Sequence, residues 1–166
     1  MNKFVITLLL VIAPYANSAE ISNFKAGIAC TDAETFGWIC HETVKVFVSG
    51  QGTCEYNKQE VPCTWHGFEF EYKDFTKDTV FECTSTSSKA ADSGNPEEIV
   101  SKNTRTNTYR LDLAEGDGFF FNPQYRVLAT PENEPLVVYE HTECFLDGVK
   151  QIEFNHEFVF PADINP

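Results

Sequence analysis

Six cysteines follow an apolar leader, and this combination constrains the fold more than any other feature of the sequence. Lys3 precedes an apolar run over residues 4–13 that is too short to span a bilayer. The small residues that follow it are typical of a cleavage site, which we place after Ala19. We therefore predict a signal peptide over residues 1–19 and a single exported domain, periplasmic or extracellular, over residues 20–166.

In an oxidising compartment an even number of cysteines indicates disulfides. No two cysteines have the Cys-x-x-Cys spacing that redox motifs and structural zinc sites use. If residues 58–59 form the tip of a hairpin, Cys54 lies directly opposite Cys63 and within disulfide reach. The spacing leaves other connectivities open. The pairing that we favour is Cys30–Cys40, Cys54–Cys63 and Cys83–Cys144.

Charge and composition narrow the class of partner. After Ala19 the chain has 25 acidic and 11 basic residues, because Lys3 is the only charged residue of the leader, and the net charge is therefore −14. Such a surface repels nucleic acid and anionic membranes and suits a basic protein partner. The chain contains no Asn-x-Ser/Thr glycosylation signal, which favours a bacterial over a eukaryotic secretory source.

Most of residues 20–166 alternate with a period of two, which is the pattern of β-strands. Phe68, Phe70 and Tyr72 form an aromatic stripe, and the intervening Glu69 and Glu71 are expected on an exposed acidic face. The pattern weakens over residues 84–104. We predict an all-β fold, an antiparallel β-sandwich of Greek-key or immunoglobulin-like type, stabilised by disulfides. One or two short helical turns are expected, at residues 31–36 and after Asn95.

Asp147-Gly148 is the best hairpin signal in the chain. A two-residue turn there would bring His141, His156 and Glu143 to one face, where they could hold zinc or copper. The same face would carry mostly apolar side chains, which indicates a core histidine pair instead. We therefore predict no metal and no cofactor. The residues expected to surround the two histidines are Val137, Tyr139, Ile152, Phe154 and Phe158.

Trp65 and the run Phe119, Phe120 and Phe121 are the candidate partner-binding residues. Three consecutive phenylalanines cannot all face the same side of a strand, so at least one points away from its neighbours. A large exposed aromatic residue is a typical anchor for a protein partner.

The sequence contains no motif for nucleophilic, phosphate-binding or zinc-dependent catalysis, so we predict no catalytic residues. The leading hypothesis is a non-enzymatic binding domain of inhibitor or immunity type. The alternatives are a structural or adhesive cell-surface domain, and a small hydrolase or metal carrier without a recognisable motif. The oligomeric state is left open.

Overall fold

The computed structural model describes residues 19–30, 37–48, 50, 52–56, 58–95, 99–128 and 134–162. All regular structure in these ranges is β-strand, so the all-β prediction is confirmed. Both predicted helical turns, at 31–36 and at 96–98, lie outside the described residues. None of the described segments is a helix that could cross a membrane. The strands are β1 (Glu20–Cys30), β2 (Trp38–Glu42), β3 (Lys45–Phe47), β4 (Gly52–Tyr56), β5 (Gln59–Cys63), β6 (His66–Phe75), β7 (Thr79–Gly94), β8 (Ile99–Leu113), β9 (Gly116–Leu128), β10 (Leu136–Leu146) and β11 (Val149–Phe160).

Nine of these strands form one sheet in the order β2-β1-β6-β9-β7-β10-β11-β3, with β8 paired to β7 outside this path. Strands β4 and β5 form a separate hairpin. The strand pairs are antiparallel except for β11 and β3, which run parallel. This predominance of antiparallel pairs agrees with the frequent turns and short connections in the sequence.

The long strand β7 causes the sheet to curl. Its residues 82–87 pair with β10, whereas residues 91–94 pair with β9. The two halves of the sheet then diverge, and β1 and β6 face β7 and β11 across an aromatic interior. The ring centroids of Phe68 and Phe154 are 5.1 Å apart, and those of Phe70 and Phe81 are 6.2 Å apart. The architecture is a curled half-barrel.

The predicted aromatic stripe on β6 lies at the centre of the core, as the alternation predicts. Each of these side chains contributes about 1.5–3 kcal/mol through burial. The acidic face opposite the stripe is only partly exposed, because Glu69 is buried and accepts hydrogen bonds from Lys25 Nζ at 2.7 Å and the Ile39 N–H at 2.6 Å. The buried cluster comprises Phe68, Phe70, Tyr72, Phe75, Phe81, Cys83, Leu111, Leu113, Cys144 and Ile152.

Three disulfides connect the cysteines in the predicted pairs. The predicted geometry of one of them is wrong: Cys54 lies opposite Val61, and Cys63 lies opposite Gly52, so this bond is diagonal across the β4–β5 hairpin. The hairpin turns one residue earlier than expected, with Tyr56 opposite Gln59. The two Cα atoms are nevertheless 5.8 Å apart, which is within the range of a disulfide. Three disulfides in a domain of this size are typical of an oxidising compartment.

Residues 84–94 and 99–104 of the stretch with the weak pattern are strand, because they belong to β7 and β8, which pair with each other. Hydroxyl side chains replace apolar ones on the buried side of β7. Ser85 and Thr142 share a hydrogen bond of 2.8 Å, and Ser87 Oγ donates to Glu140 Oε2 at 3.0 Å. Buried serines with partners are compatible with a core strand, although their polarity hides the alternation in the sequence.

Candidate binding face

The β10–β11 hairpin positions every histidine and carboxylate that the sequence singles out near the C-terminal end. Asp147 and Gly148 both have positive φ angles, 49° and 78°, as a two-residue type I′ turn requires. Leu146 and Val149 flank the turn as predicted. A β-bulge between Cys144 and Phe145 then shifts the register by one residue. Beyond the bulge, side chains expected on one face of the hairpin lie on the other.

The bulge separates the two histidines that were predicted to share a face. His141 lies opposite Asn155, and His156 lies opposite Glu140. His156 is buried, whereas His141 and Glu143 are on the outer, partly exposed face. The predicted set of His141, His156 and Glu143 is therefore wrong, because a one-residue shift reverses the face of each side chain in one strand.

The inner face holds a pair of neutral histidines. The ring centroids of His66 and His156 are 5.5 Å apart, and both rings contact Phe158. Burial, with a smaller contribution from the nearby Arg126, lowers the pKa of His156 to about 4. Burial also lowers the pKa of His66 well below its usual value, with His156 and Arg126 contributing. Both imidazoles are therefore uncharged at neutral pH.

Next to the histidines lies a buried ion pair between Arg126 and Glu140. Ser87 Oγ bridges the two side chains, accepting from Arg126 Nη1 at 2.9 Å and donating to Glu140 Oε2 at 3.0 Å. The Arg126 guanidinium also lies 5.1 Å from the centroid of the Phe158 ring. Burial lowers the pKa of Arg126 to about 10, so it keeps its charge at neutral pH. We interpret this network as internal support for the curl between β7, β9 and β10.

The outer face of the same half of the sheet is unusually apolar. Tyr139 and Val44 are each 60% exposed, Phe47 is 54% exposed and Val137 is 38% exposed. We call these four residues the apolar patch. Val137 and Tyr139 lie on β10 and Phe47 lies on β3, on either side of β11, whose Val159 pairs with both Val137 and Phe47. Val44 directly precedes β3. Neighbouring exposed apolar side chains of this size mark interaction surfaces more often than isolated ones do.

A groove of about 500 Å³ runs beside the apolar patch. Tyr139 and Val44 form part of its walls, so an inserted side chain would contact both. Charged side chains adjoin it: Lys45 Nζ and Glu157 Oε1 form an ion pair of 2.9 Å. The rest of the lining comes from the outer-facing Thr86, Ser88, His141 and Asn155 and from the buried Ser87, Glu140 and His156. An apolar groove with polar edges is the usual form of a protein-recognition site.

The predicted partner-binding aromatics are dispersed. Phe119 is 53% exposed on β9, in the other half of the sheet, where it pairs with Glu71. Phe120 points inward and stacks on Phe70, with ring centroids 5.2 Å apart. Trp65 packs edge-on against Tyr125. Phe121 is half-buried. The run therefore does alternate as predicted, but these residues do not form a common patch.

The sequence reasoning missed the apolar patch because it assigned Val137 and Tyr139 to the core. A signal for the correct face was available in Cys144. On β10 the predicted Cys83–Cys144 bond fixes the buried side, and Val138, Glu140 and Thr142 share that side with Cys144. The alternate residues, including Tyr139, must then face outward.

A larger cleft of about 690 Å³ lies between the β6–β7 and β10–β11 turns. Its walls combine apolar and charged side chains, including Phe145, Lys77, Glu82 and Arg110. Among the described residues that line it, there is no serine, histidine or cysteine. The described lining therefore contains no Ser–His or Cys–His pair, and its acidic residues are Asp74, Asp78, Glu82 and Asp147.

No protein-family model matches the sequence, and no curated protein is significantly similar to it.

Proposed function

We propose that this protein is an exported, non-enzymatic domain that binds a protein partner through the apolar patch and the adjoining groove. The observation that carries the proposal is the exposure of Tyr139 and Val137 on β10 and of Phe47 on β3, together with that of Val44 directly before β3. Partly exposed tyrosine and phenylalanine side chains are the residues that dominate binding energy when a partner covers them.

Charge defines the kind of partner. The full chain has a net charge of −13, and the groove is adjoined by Glu157. A basic partner would be steered toward such a surface, as a cationic toxin or wall-degrading enzyme is toward an inhibitor or immunity protein. The partner that we propose therefore presents an apolar side chain to the groove and basic side chains around it.

Export follows from the leader and from the cysteines, which are all paired among the described residues. In the finer architecture that we propose, the two halves of the curled sheet act as the layers of a Greek-key or immunoglobulin-like sandwich. The ring contacts between β6 and β11 support this proposal. Such a scaffold is rigid and presents one face of a sheet to a partner.

The test is affinity capture from the native periplasm or culture medium with the oxidised domain. A Val44→Ser/Tyr139→Ser variant should lose the captured protein. Two controls carry a similar change at exposed sites elsewhere, Phe119→Ser on β9 and Val149→Ser at the hairpin turn, and both should retain it. Loss of capture with Phe119→Ser alone would place the binding site on β9 and overturn the proposal.

One observation favours the structural or adhesive alternative. Strand β8 is 15 residues long and, among the described strands, pairs only with β7. A long unpaired edge is a template for pairing with another chain. Concentration-dependent association of the purified domain in sedimentation experiments, without any captured partner, would favour this alternative.

A further inference from the structure

The β-bulge that separates the two histidines brings a different set of potential metal ligands together. His141 and Glu143 lie two residues apart on the outer side of β10, and Glu153 lies directly opposite Glu143 on β11. Each of the three side chains offers one ligand atom, and these atoms all lie within 4.8 Å of one another. The set shares no residue with the apolar patch, although His141 also lines the adjoining groove.

The separations within this set suit a shared ion better than direct hydrogen bonds. His141 Nε2 lies 3.7 Å from Glu143 Oε1 and 3.7 Å from Glu153 Oε1. Both distances are too long for a hydrogen bond. A tetrahedral ion with bonds of about 2.1 Å holds its ligand atoms about 3.4 Å apart. Small side-chain movements would therefore complete such a site.

Asn155 supplies an independent reason, because it fixes the orientation of the imidazole. His141 Nδ1 lies 2.9 Å from Asn155 Oδ1, and an amide oxygen can only accept a hydrogen bond. With a proton on Nδ1 held by this contact, Nε2, which faces the two carboxylates, is the nitrogen that can bind a metal. A histidine that ligates a metal through one nitrogen almost always donates its other N–H to an oxygen in this way.

We propose that His141, Glu143 and Glu153 bind a divalent transition-metal ion, with Zn²⁺ as the best fit. One imidazole nitrogen and two carboxylate oxygens suit zinc, which takes nitrogen and oxygen ligands in tetrahedral sites. Ca²⁺ is disfavoured, because it requires six to eight oxygen ligands. The fourth position would face solvent, since all three side chains are partly exposed.

Lys150 limits the affinity of this site. Its Nζ donates to Glu143 Oε1 at 3.1 Å and to Glu153 Oε2, so it neutralises the carboxylates when no ion is bound. A metal must displace the ammonium from Glu143, whereas Glu153 Oε1 faces His141 and is not used by Lys150. Removing the lysine should therefore tighten metal binding, which a purely structural ion-pair network does not predict.

The test is calorimetric titration of the oxidised, chelator-treated domain with ZnCl₂. The wild type should bind one ion per chain, and His141→Ala should abolish this binding. Lys150→Met should strengthen it by about 30-fold, the effect of removing one unit charge at about 4 Å from a divalent ion in water. Asn155→Ala should weaken it by about 10- to 100-fold. His41→Ala, which removes an exposed histidine on β2, is the control and should leave it unchanged.

Circular dichroism should show that each variant retains its strands. Equal binding by the wild type and His141→Ala, absence of stoichiometric binding, or weaker binding by Lys150→Met would overturn the proposal. Capture of the protein partner through Tyr139 is measured separately, so the metal site and the binding face succeed or fail independently.

Discussion

The two faces of the β10–β11 hairpin each carry a histidine and a glutamate, but these residues differ in burial and in their partners. The inner face holds His156 beside Glu140, and both are buried. His156 is uncharged at neutral pH, and Glu140 forms an ion pair with Arg126. The outer face holds His141 beside Glu143, both partly exposed and close to a lysine. The two histidines lie on different faces because the bulge at Cys144 and Phe145 shifts the pairing of β10 and β11 by one residue. Residue type alone therefore does not determine whether a histidine supports the core or meets a ligand.

The largest expected difference concerns the two glutamates of β10. Glu140→Ala should lower the free energy of unfolding by about 3–5 kcal/mol, because it leaves the buried Arg126 guanidinium without its partner. Glu143→Ala, on the outer side of the same strand, should cost no more than about 1 kcal/mol. Urea denaturation measures both.

The double variant Arg126→Met/Glu140→Leu is the control, because it removes both charges of the buried ion pair instead of leaving one without a partner. It should be more stable than Glu140→Ala, since neither charge then remains buried. Equal costs for Glu140→Ala and Glu143→Ala would mean that the two glutamates do not occupy different faces.

The inner histidine should make stability depend on pH. The pKa of His156 is about 4 in the folded protein, against about 6.5 for an exposed histidine, so the unfolded chain takes up a proton first as the pH falls. The free energy of unfolding should therefore decrease between about pH 6.5 and pH 4, by on the order of 3 kcal/mol from this residue. His66 contributes in the same direction.

Denaturation curves at several pH values for the wild type and His156→Gln measure this contribution. The variant should show a shallower slope over that range. An unchanged slope would show that the pKa of His156 is the same in the folded protein as in the unfolded chain.

The outer face should contribute little to stability. Tyr139→Ser and Val44→Ser should change the free energy of unfolding by no more than about 0.5 kcal/mol, because both side chains are mostly exposed. Phe158→Ala on the inner face should cost about 3–5 kcal/mol. Thermal melts compare the three variants. A large loss of stability in Tyr139→Ser would assign that side chain to the core and remove the basis for the binding face.

The smallest expected effect is that of salt on association with a captured basic partner. The association rate should fall as salt rises to physiological concentration, because screening then limits the reach of the field to about 8 Å. Substitutions in the apolar patch should instead raise the dissociation rate. Surface plasmon resonance measures the two rates separately. An association rate that does not respond to salt would contradict the proposal that charge attracts the partner.

Several of the structural features compared above can be predicted from the sequence. The Asp147-Gly148 turn, the aromatic stripe of β6 and the short-range disulfides Cys30–Cys40 and Cys54–Cys63 are predictable, because each depends on local spacing or on a strong residue preference. The Cys83–Cys144 bond, which joins residues 61 positions apart, followed only as the remaining pair. The bulge at Cys144 is not predictable, since an extra residue in one strand leaves no mark on the composition of either strand. The prediction that His141 and His156 share a face was therefore wrong, because local spacing does not determine the register beyond the bulge.

Other features depend on parts of the chain that are distant in sequence. Glu69 alternates as an exposed residue would, yet Lys25 and the backbone of Ile39 cover it. Ser87 belongs to a polar stretch, yet Arg126 and Glu140 bury it. In each case the partners come from other strands, and only the folded sheet brings them together.

Chemical modification of the histidines tests the assignment of the two faces most directly. Diethyl pyrocarbonate reacts with accessible neutral imidazoles, and peptide mapping identifies the modified positions. At neutral pH His141 should react in the native protein together with the exposed His41, whereas His156 and His66 should react only after unfolding. Modification of His156 in the native protein at the rate of His141 would contradict the account.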